Sequence, residues 1–319
     1  MPTLRWHRPL MLLAVAMASL TVFAIGATIA DSRTLTGLPI WAKVVKFALS
    51  VLIYSVTWAW LIDQFTRWRR IAWWAGTMAA IGLGLELAII VTQVVRGTTS
   101  HFNTTTPLNS ALWNAMAISI IVVWAATVVA SVALLFNPTP DRARNAAIRF
   151  GAGLSLVGAA LGFLMVRPTS AQLDSGSGIR GAHTVGLTDG GPGLPFLGWS
   201  TAGGDLRIPH FIGMHAAQLL PLLVIVLELS ARRISATRSA DVRSALVKTA
   251  AAVYAAVIAL LTWQALRGQS VIHPDALTLA AGGIILAAAT AAAIAVLVRR
   301  PSDGRTTTPS ARRSLEVTR

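Results

Sequence analysis

Residues 71–95 read IAWWAGTMAAIGLGLELAIIVTQVV, and Glu86 is the one charged side chain among them. At about 1.5 Å per residue, a helix of this length crosses the roughly 30 Å hydrocarbon core of a bilayer. Seven further stretches are of the same kind: Leu10–Ala30, Trp41–Ile62, Ser110–Phe136, Ala146–Val166, Ile208–Ser230, Ser244–Leu266 and Leu277–Val298. Together they predict an all-α, eight-span transmembrane bundle. Composition points the same way. Of 319 residues, 55% are hydrophobic and 12% charged, whereas a soluble domain carries about 25% charged residues. A cytosolic globular protein and a disordered chain are both excluded. Cysteine is absent, which removes disulfides, thiolate metal sites and a catalytic thiol.

The first stretch follows Arg5 and Arg8, as a signal peptide would. Its apolar run exceeds the usual signal length, and Thr28 with Ala30 makes a poor cleavage pair, so an uncleaved span is expected. The net charge of +15 would suit nucleic acid, but the placement of the charges gives another reason for it. With the N-terminus inside, 19 of the 27 basic residues fall in inner segments and 8 in outer ones. The positive-inside rule then puts both termini in the cytoplasm of a cell membrane. No nucleic-acid partner is required. Trp58, Trp60, Trp68, Trp73 and Trp74 fall at the inner boundary and Trp41 and Trp263 near the outer one, a pattern expected of interfacial anchors.

Two helix ends resemble each other. Gln93-Val94-Val95-Arg96-Gly97 is followed by His101 and Pro107, and Gln264-Ala265-Leu266-Arg267-Gly268 by His273 and Pro274. The spacing suggests parallel four-span repeats: residues 1–145, residues 146–298 with an outer Gly-rich loop at about 167–207, and a basic, disordered cytoplasmic tail at 299–319. Glycine suits a helix C-cap and arginine the negative end of the helix dipole. The two glutamines, one turn deeper, need partners within the protein. Ten glycines lie between Gly176 and Gly204. Gly176-Ser177-Gly178-Ile179-Arg180-Gly181 matches G-x-G-x-x-G, yet no strand precedes it, so a flexible or capping loop is expected instead of a dinucleotide site.

Glu86 sits near mid-span, with Gln93 on the same face. Glu228 is spaced to pair with Arg232. Asp205 is a candidate N-cap, and Arg207, His210, Met214 and Gln218 recur at helical spacing. Lys43, Lys46, Arg96, His101, Asn103, Asp205, Arg207, His210, His215 and Arg267 all fall in the outer half, where cations should be scarce. With Glu86, Gln93, Gln218 and Gln264 they form the candidate site: an outward polar pocket that binds or carries a small anionic or polar ligand. An anionic lipid headgroup is the competing occupant. A haem- or metal-dependent enzyme with His101, His210 or His215 as ligands is the alternative function, and a structural accessory role the third. The sequence requires no cofactor.

The runs Trp41-Ala42-Lys43-Val44-Val45-Lys46-Phe47, Arg96-Gly97-Thr98-Thr99-Ser100-His101-Phe102-Asn103 and Gly203-Gly204-Asp205-Leu206-Arg207-Ile208-Pro209-His210-Phe211 resemble those of uncharacterised bacterial multi-pass membrane proteins. That resemblance implies no activity. The two-times-four plan is also similar to haem A synthase, whose haem-ligand histidines lie within several helices of both halves. Spans two, four and eight contain no histidine here, so the same haem arrangement is not expected.

Overall fold

A computed structural model describes residues 6–298; Arg5 and the basic tail lie outside the described residues. The chain is mostly helical. Its order is α1 (Arg8–Ala30), a two-residue hairpin of β1 (Thr34–Leu35) and β2 (Leu38–Pro39), α2 (Ala42–Asp63), α3 (Arg69–Val95), α4 (Pro107–Leu135) and α5 (Arg142–Leu161). The outer loop holds α6 (Ser170–Asp174) and β3 (Thr184–Val185), which pairs antiparallel with β4 (Gly204–Asp205). Then come α7 (Arg207–Met214), α8 (Ala216–Ser230), α9 (Ala240–Leu266) and α10 (Ala276–Val298).

Seven of these helices are long and apolar enough to cross a membrane, and the α7–α8 pair makes up to an eighth span. Large apolar side chains such as Leu12, Val22, Ile29 and Ile284 face outward, which water disfavours and hydrocarbon accepts. The chain is a multi-pass integral membrane protein. Four of its helices, α1, α4, α5 and α9, start where a side chain satisfies one or two of the first free N–H groups. His7 Nδ1 accepts from Leu10, Thr106 from Asn109 ahead of Pro107, Asp141 from Ala143 and Arg144, and Ser239 from Val242.

In the first half α1 packs on α2 and α3, α2 on α3, and α3 on α4. In the second, α5 packs on α7, α8 and α9, these on α9, and α9 on α10. The halves meet where α4 touches α5, and where Gln218 donates to Thr57 at 3.1 Å.

Several expectations need correction. The fifth span starts at Arg142, since Asp141 caps it there, and its helix gives way to a 3-10 turn at Gly162–Leu164. The stretch expected as a sixth span is not one straight helix: α7 and α8 meet at 47°. At the bend the Ile212 carbonyl accepts from His215 N–H at 3.2 Å and also from the Tyr254 hydroxyl of α9, and Pro221 supplies no N–H farther on. The stripe from Arg207 to Gln218 is therefore not continuous. Trp58 and Trp41 are core residues, 2% and 7% exposed, because their helices turn them toward neighbouring helices. Glu228 pairs with Arg144 of α5 at 2.7 Å instead of Arg232, since α5 and α8 pack closely. The N-cap position of α7 is Leu206, and Asp205 stands one residue earlier.

One crossing depends on glycine. A Cβ on Gly158 would lie 2.3 Å from the Gly213 carbonyl carbon, and one on Gly213 would lie 2.4 Å from the Gly158 Cα. Small residues let membrane helices approach this closely. The approach also brings the His210 ring to 2.8 Å from the Gly158 carbonyl. Gly158→Ala should therefore destabilise by about 1–3 kcal/mol through overpacking and lower the yield of monodisperse protein in size-exclusion chromatography. Gly153→Ala, on the same helix with open space around it, should leave that yield unchanged.

Candidate functional site

The link between α3 and α4 places the first ionisable group. Gly97, at φ +71°, closes α3, with Thr98 N–H donating to the Gln93 carbonyl at 3.0 Å and Gly97 N–H to Val94 at 3.0 Å. This is the Schellman end that Arg96-Gly97 suggested. The chain then folds back over the bundle. Phe102 takes a left-handed φ of 60°, an uncommon state for a bulky residue, and its ring is buried beside Trp113 and His183. Its neighbour His101 is turned down into the protein.

The result is a chain of three ionisable side chains. Lys43 Nζ of α2 lies 3.0 Å from His101 Nδ1, and His101 Nε2 lies 3.7 Å from Glu86 Oε1. Ser100 Oγ also approaches Nδ1, at 3.1 Å. The lysine ammonium can only donate, which makes Nδ1 the acceptor and leaves the ring proton on Nε2, facing Glu86. Ser119 of α4 donates to the other Glu86 oxygen at 3.3 Å. Glu86 is thus buried against α2, α4 and a loop, and away from lipid. Burial, then the positive charge of Lys43, holds the His101 pKa well below its ordinary 6.5, so His101 is a neutral bridge.

The outer loop covers this chain as a capping structure. His183 Nδ1 donates to Asp189, and its backbone N–H donates to the same carboxylate at 3.0 Å. Burial lowers the His183 pKa. Burial also raises that of Asp189, but the His183 hydrogen bond and the His183 and Arg207 charges outweigh it and hold it down to about 2. The His183–Asp189 hydrogen bond thus favours the ionised carboxylate, while burial disfavours the charged imidazole. Farther on, Lys46 Nζ donates to the Leu197 carbonyl at 2.8 Å, and Arg207 Nη2 to the Gly198 carbonyl at 2.6 Å. Arg207 also grips Asp205, whose side chain is fully buried, while Asp205 accepts from Ser200 N–H at 2.7 Å. One turn of the loop is held by a cation from each half of the bundle.

Lys43, Lys46, Glu86, His101, Asp205 and Arg207 are thus brought together. His210, bonded to Gly158 at the α5–α7 crossing, is near enough for its charge to act on His101. The remaining candidates are elsewhere. Gln93, Arg96 and Asn109 form a separate network, with Arg96 donating to Gln93 at 2.7 Å and to Asn109 at 2.9 Å. Asn103 is buried and knits its own loop to Thr98, Thr99 and Thr105. Gln264 donates to Ser270, Arg267 stacks on Trp263 and pairs with Asp275, Gln218 bridges to α2, and His215 sits at the α7–α8 break.

His183, Asp189, Ser119 and the carbonyls of Leu197 and Gly198 were not foreseen. A serine in an apolar helix and two loop residues six apart carry no periodic signal, and a carbonyl carries none at all. Among the described residues no three His, Cys, Asp or Glu side chains are grouped as a metal ion requires. The His101 and His183 rings stand 6.3 Å apart. No family model matches the chain, and no curated protein or solved structure is significantly similar to it.

The depressed histidines give a pH dependence. The unfolded chain binds protons below about 6.5 that folded His101 and His183 refuse, so stability falls as pH falls through that value. Each contributes up to about 1.4 kcal/mol per pH unit. Below about pH 4, protonation of Asp189 removes a further contribution. Thermal unfolding should show a melting temperature several degrees lower at pH 5 than at pH 7.5, with part of the slope lost in His101→Gln. An unchanged melting temperature across that range would contradict the neutral-histidine arrangement.

Proposed function

We propose that the protein binds a small anionic or strongly hydrogen-bonding ligand in the outer cluster and carries it from the outer side. The observation behind this reading is that Lys46 and Arg207, one from each half, donate to two consecutive carbonyl oxygens of a loop turn. Oxygens of a ligand would be received by the same donors once the turn lifts. Lys43 lies below them, balanced by Glu86 through His101. The site is roofed in this state, so the ligand enters on loop movement.

The bundle is read as two parallel repeats in a cell membrane, with both termini cytoplasmic. The two Q-x-x-R-G ends support the repeat in detail. Gln269 N–H donates to the Gln264 carbonyl at 3.2 Å and Gly268 takes φ +71°, as Thr98 and Gly97 do. Gln93 Nε2 reaches the Thr99 carbonyl and Gln264 Nε2 the Ser270 carbonyl, six residues on in both cases. The order of helix packing is also the same in the two halves.

Because the chain has no cysteine, single introduced thiols report orientation cleanly. Ser177→Cys should react with an impermeant maleimide from outside intact cells, and Ser235→Cys only after permeabilisation. Ligand binding is tested on purified protein in nanodiscs with inorganic phosphate, sulfate, acetate and succinate as probes. At least one should raise the melting temperature saturably by several degrees. Lys46→Met and Lys43→Met should weaken the response about tenfold or more. If no probe gives a saturable shift, or the shift survives both substitutions, the reading fails.

A further inference from the structure

A second polar site lies at the opposite end of the bundle. There the α2–α3 link and the α4–α5 link come together around a cavity of about 520 Å³, lined by side chains that include Gln64, Arg67, Asn137, Asn145 and Arg149. Its walls are well defined. The Asn137 side chain accepts from Thr66 N–H and Arg67 N–H, both at 2.9 Å, and donates to the Arg67 and Ala133 carbonyls at 2.9 and 2.8 Å. This one amide fixes the α2–α3 link against the end of α4.

Arg149 is the unexplained group. Its Nη2 donates to the Leu135 carbonyl at 2.9 Å, while its Nε is buried and has no partner among the described residues. A buried guanidinium donor without an acceptor is costly. The lining contains a second guanidinium, that of Arg67, and no carboxylate. The nearby Asp141 is committed to the α5 cap and to Arg243 at 3.1 Å. Arg149 and Arg67 both line the cavity and no carboxylate does, so the local charge favours an anion.

We propose that this cavity binds a phosphate-bearing anion, held by Arg149 and Arg67, the two guanidinium groups of its lining. Two guanidinium forks suit phosphate oxygens better than point charges would. The volume exceeds a bare phosphate and matches a headgroup-sized ligand. Trp68 stacks on Phe136 beside the cavity at 4.6 Å between ring centres, and both are exposed. Such aromatic pairs belong at the membrane–water boundary. An anionic phospholipid headgroup reaches this position directly, and a soluble phosphate could supply the same chemistry.

The test uses the whole protein, delipidated in detergent and titrated in parallel with phosphatidylglycerol, phosphatidylcholine and inorganic phosphate. Melting temperature and lipid retained in native mass spectrometry are the readouts. Phosphatidylglycerol should protect and be retained while phosphatidylcholine is not, and Arg67→Gln combined with Arg149→Gln should lower retention about tenfold. Arg142→Gln, which removes one charge from an exposed ion pair off the cavity, should leave retention unchanged. Arg67→Gln alone alters an exposed lining residue with no fold role, so it keeps the test valid if Arg149→Gln does not fold; it should weaken retention by itself. Protection by inorganic phosphate with the same variant dependence supports the site with a soluble ligand. Equal retention of both lipids, without phosphate protection, or retention unaffected by Arg67→Gln and by the double substitution, overturns the proposal.

Discussion

Hydrocarbon offers no partner to a polar group, so every carboxylate, amide and guanidinium below the membrane surface must find one in the protein. Glu86 is the severest case, and much of the outer architecture bears on it. The α3–α4 link doubles back, with Phe102 in a left-handed conformation, and by this path His101 reaches the carboxylate. Lys43 is brought to the far side of the same ring. Gln93 and Gln264 meet the constraint locally, each reaching over a Schellman end to a carbonyl of the departing chain. What reads as a motif is a solution to burying an amide at a helix terminus.

The two ends of the bundle treat charge differently. At the end that carries the Gly-rich loop these cations have partners: Lys43 has His101 and Glu86, Arg207 has Asp205, and Lys46 a carbonyl. Loop residues cover the group and leave it partly buried. At the other end some arginines are neutralised, Arg144 by Glu228 and Arg243 by Asp141, while Arg67 and Arg149 border an open cavity. A matched, covered cluster and an unmatched, open one have different physical capacities. The first stores ionisable groups away from solvent, and the second leaves a positive potential available.

The helical architecture was legible because it rests on local properties. Runs of apolar residues, Pro107 behind Thr106, and glycine after Arg96 and Arg267 each determine structure within a few positions. Contacts between distant segments left little trace. Nothing near Ile212 announces that Tyr254 takes its carbonyl, so the sixth span reads as continuous although it bends. Trp58 follows the composition of a belt residue but faces inward. Charge is conspicuous in an apolar chain, so residue type singled out Lys43, Glu86, His101 and Arg207, which the fold brings near one another. Asn103 and Gln218, polar as well, bond within their own loop and across a helix contact. His183 and Asp189 drew no notice, being ordinary residues of a loop whose closure depends on their pairing.

The turn at Leu197–Gly198 has one more consequence. Its carbonyls occupy the donors of Lys46 and Arg207, so the chain acts as its own competitor. Under the proposed function, a ligand would meet a receptive site only in the fraction of molecules whose turn has lifted, and its apparent dissociation constant would grow as the inverse of that fraction. If one molecule in about a hundred is open, affinity is reduced about a hundredfold. Weak, abundant anions are then excluded without any pocket wall shaped against them. The factor is the same for every ligand, so the turn would set the concentration at which the site fills and leave the ratio of affinities unchanged.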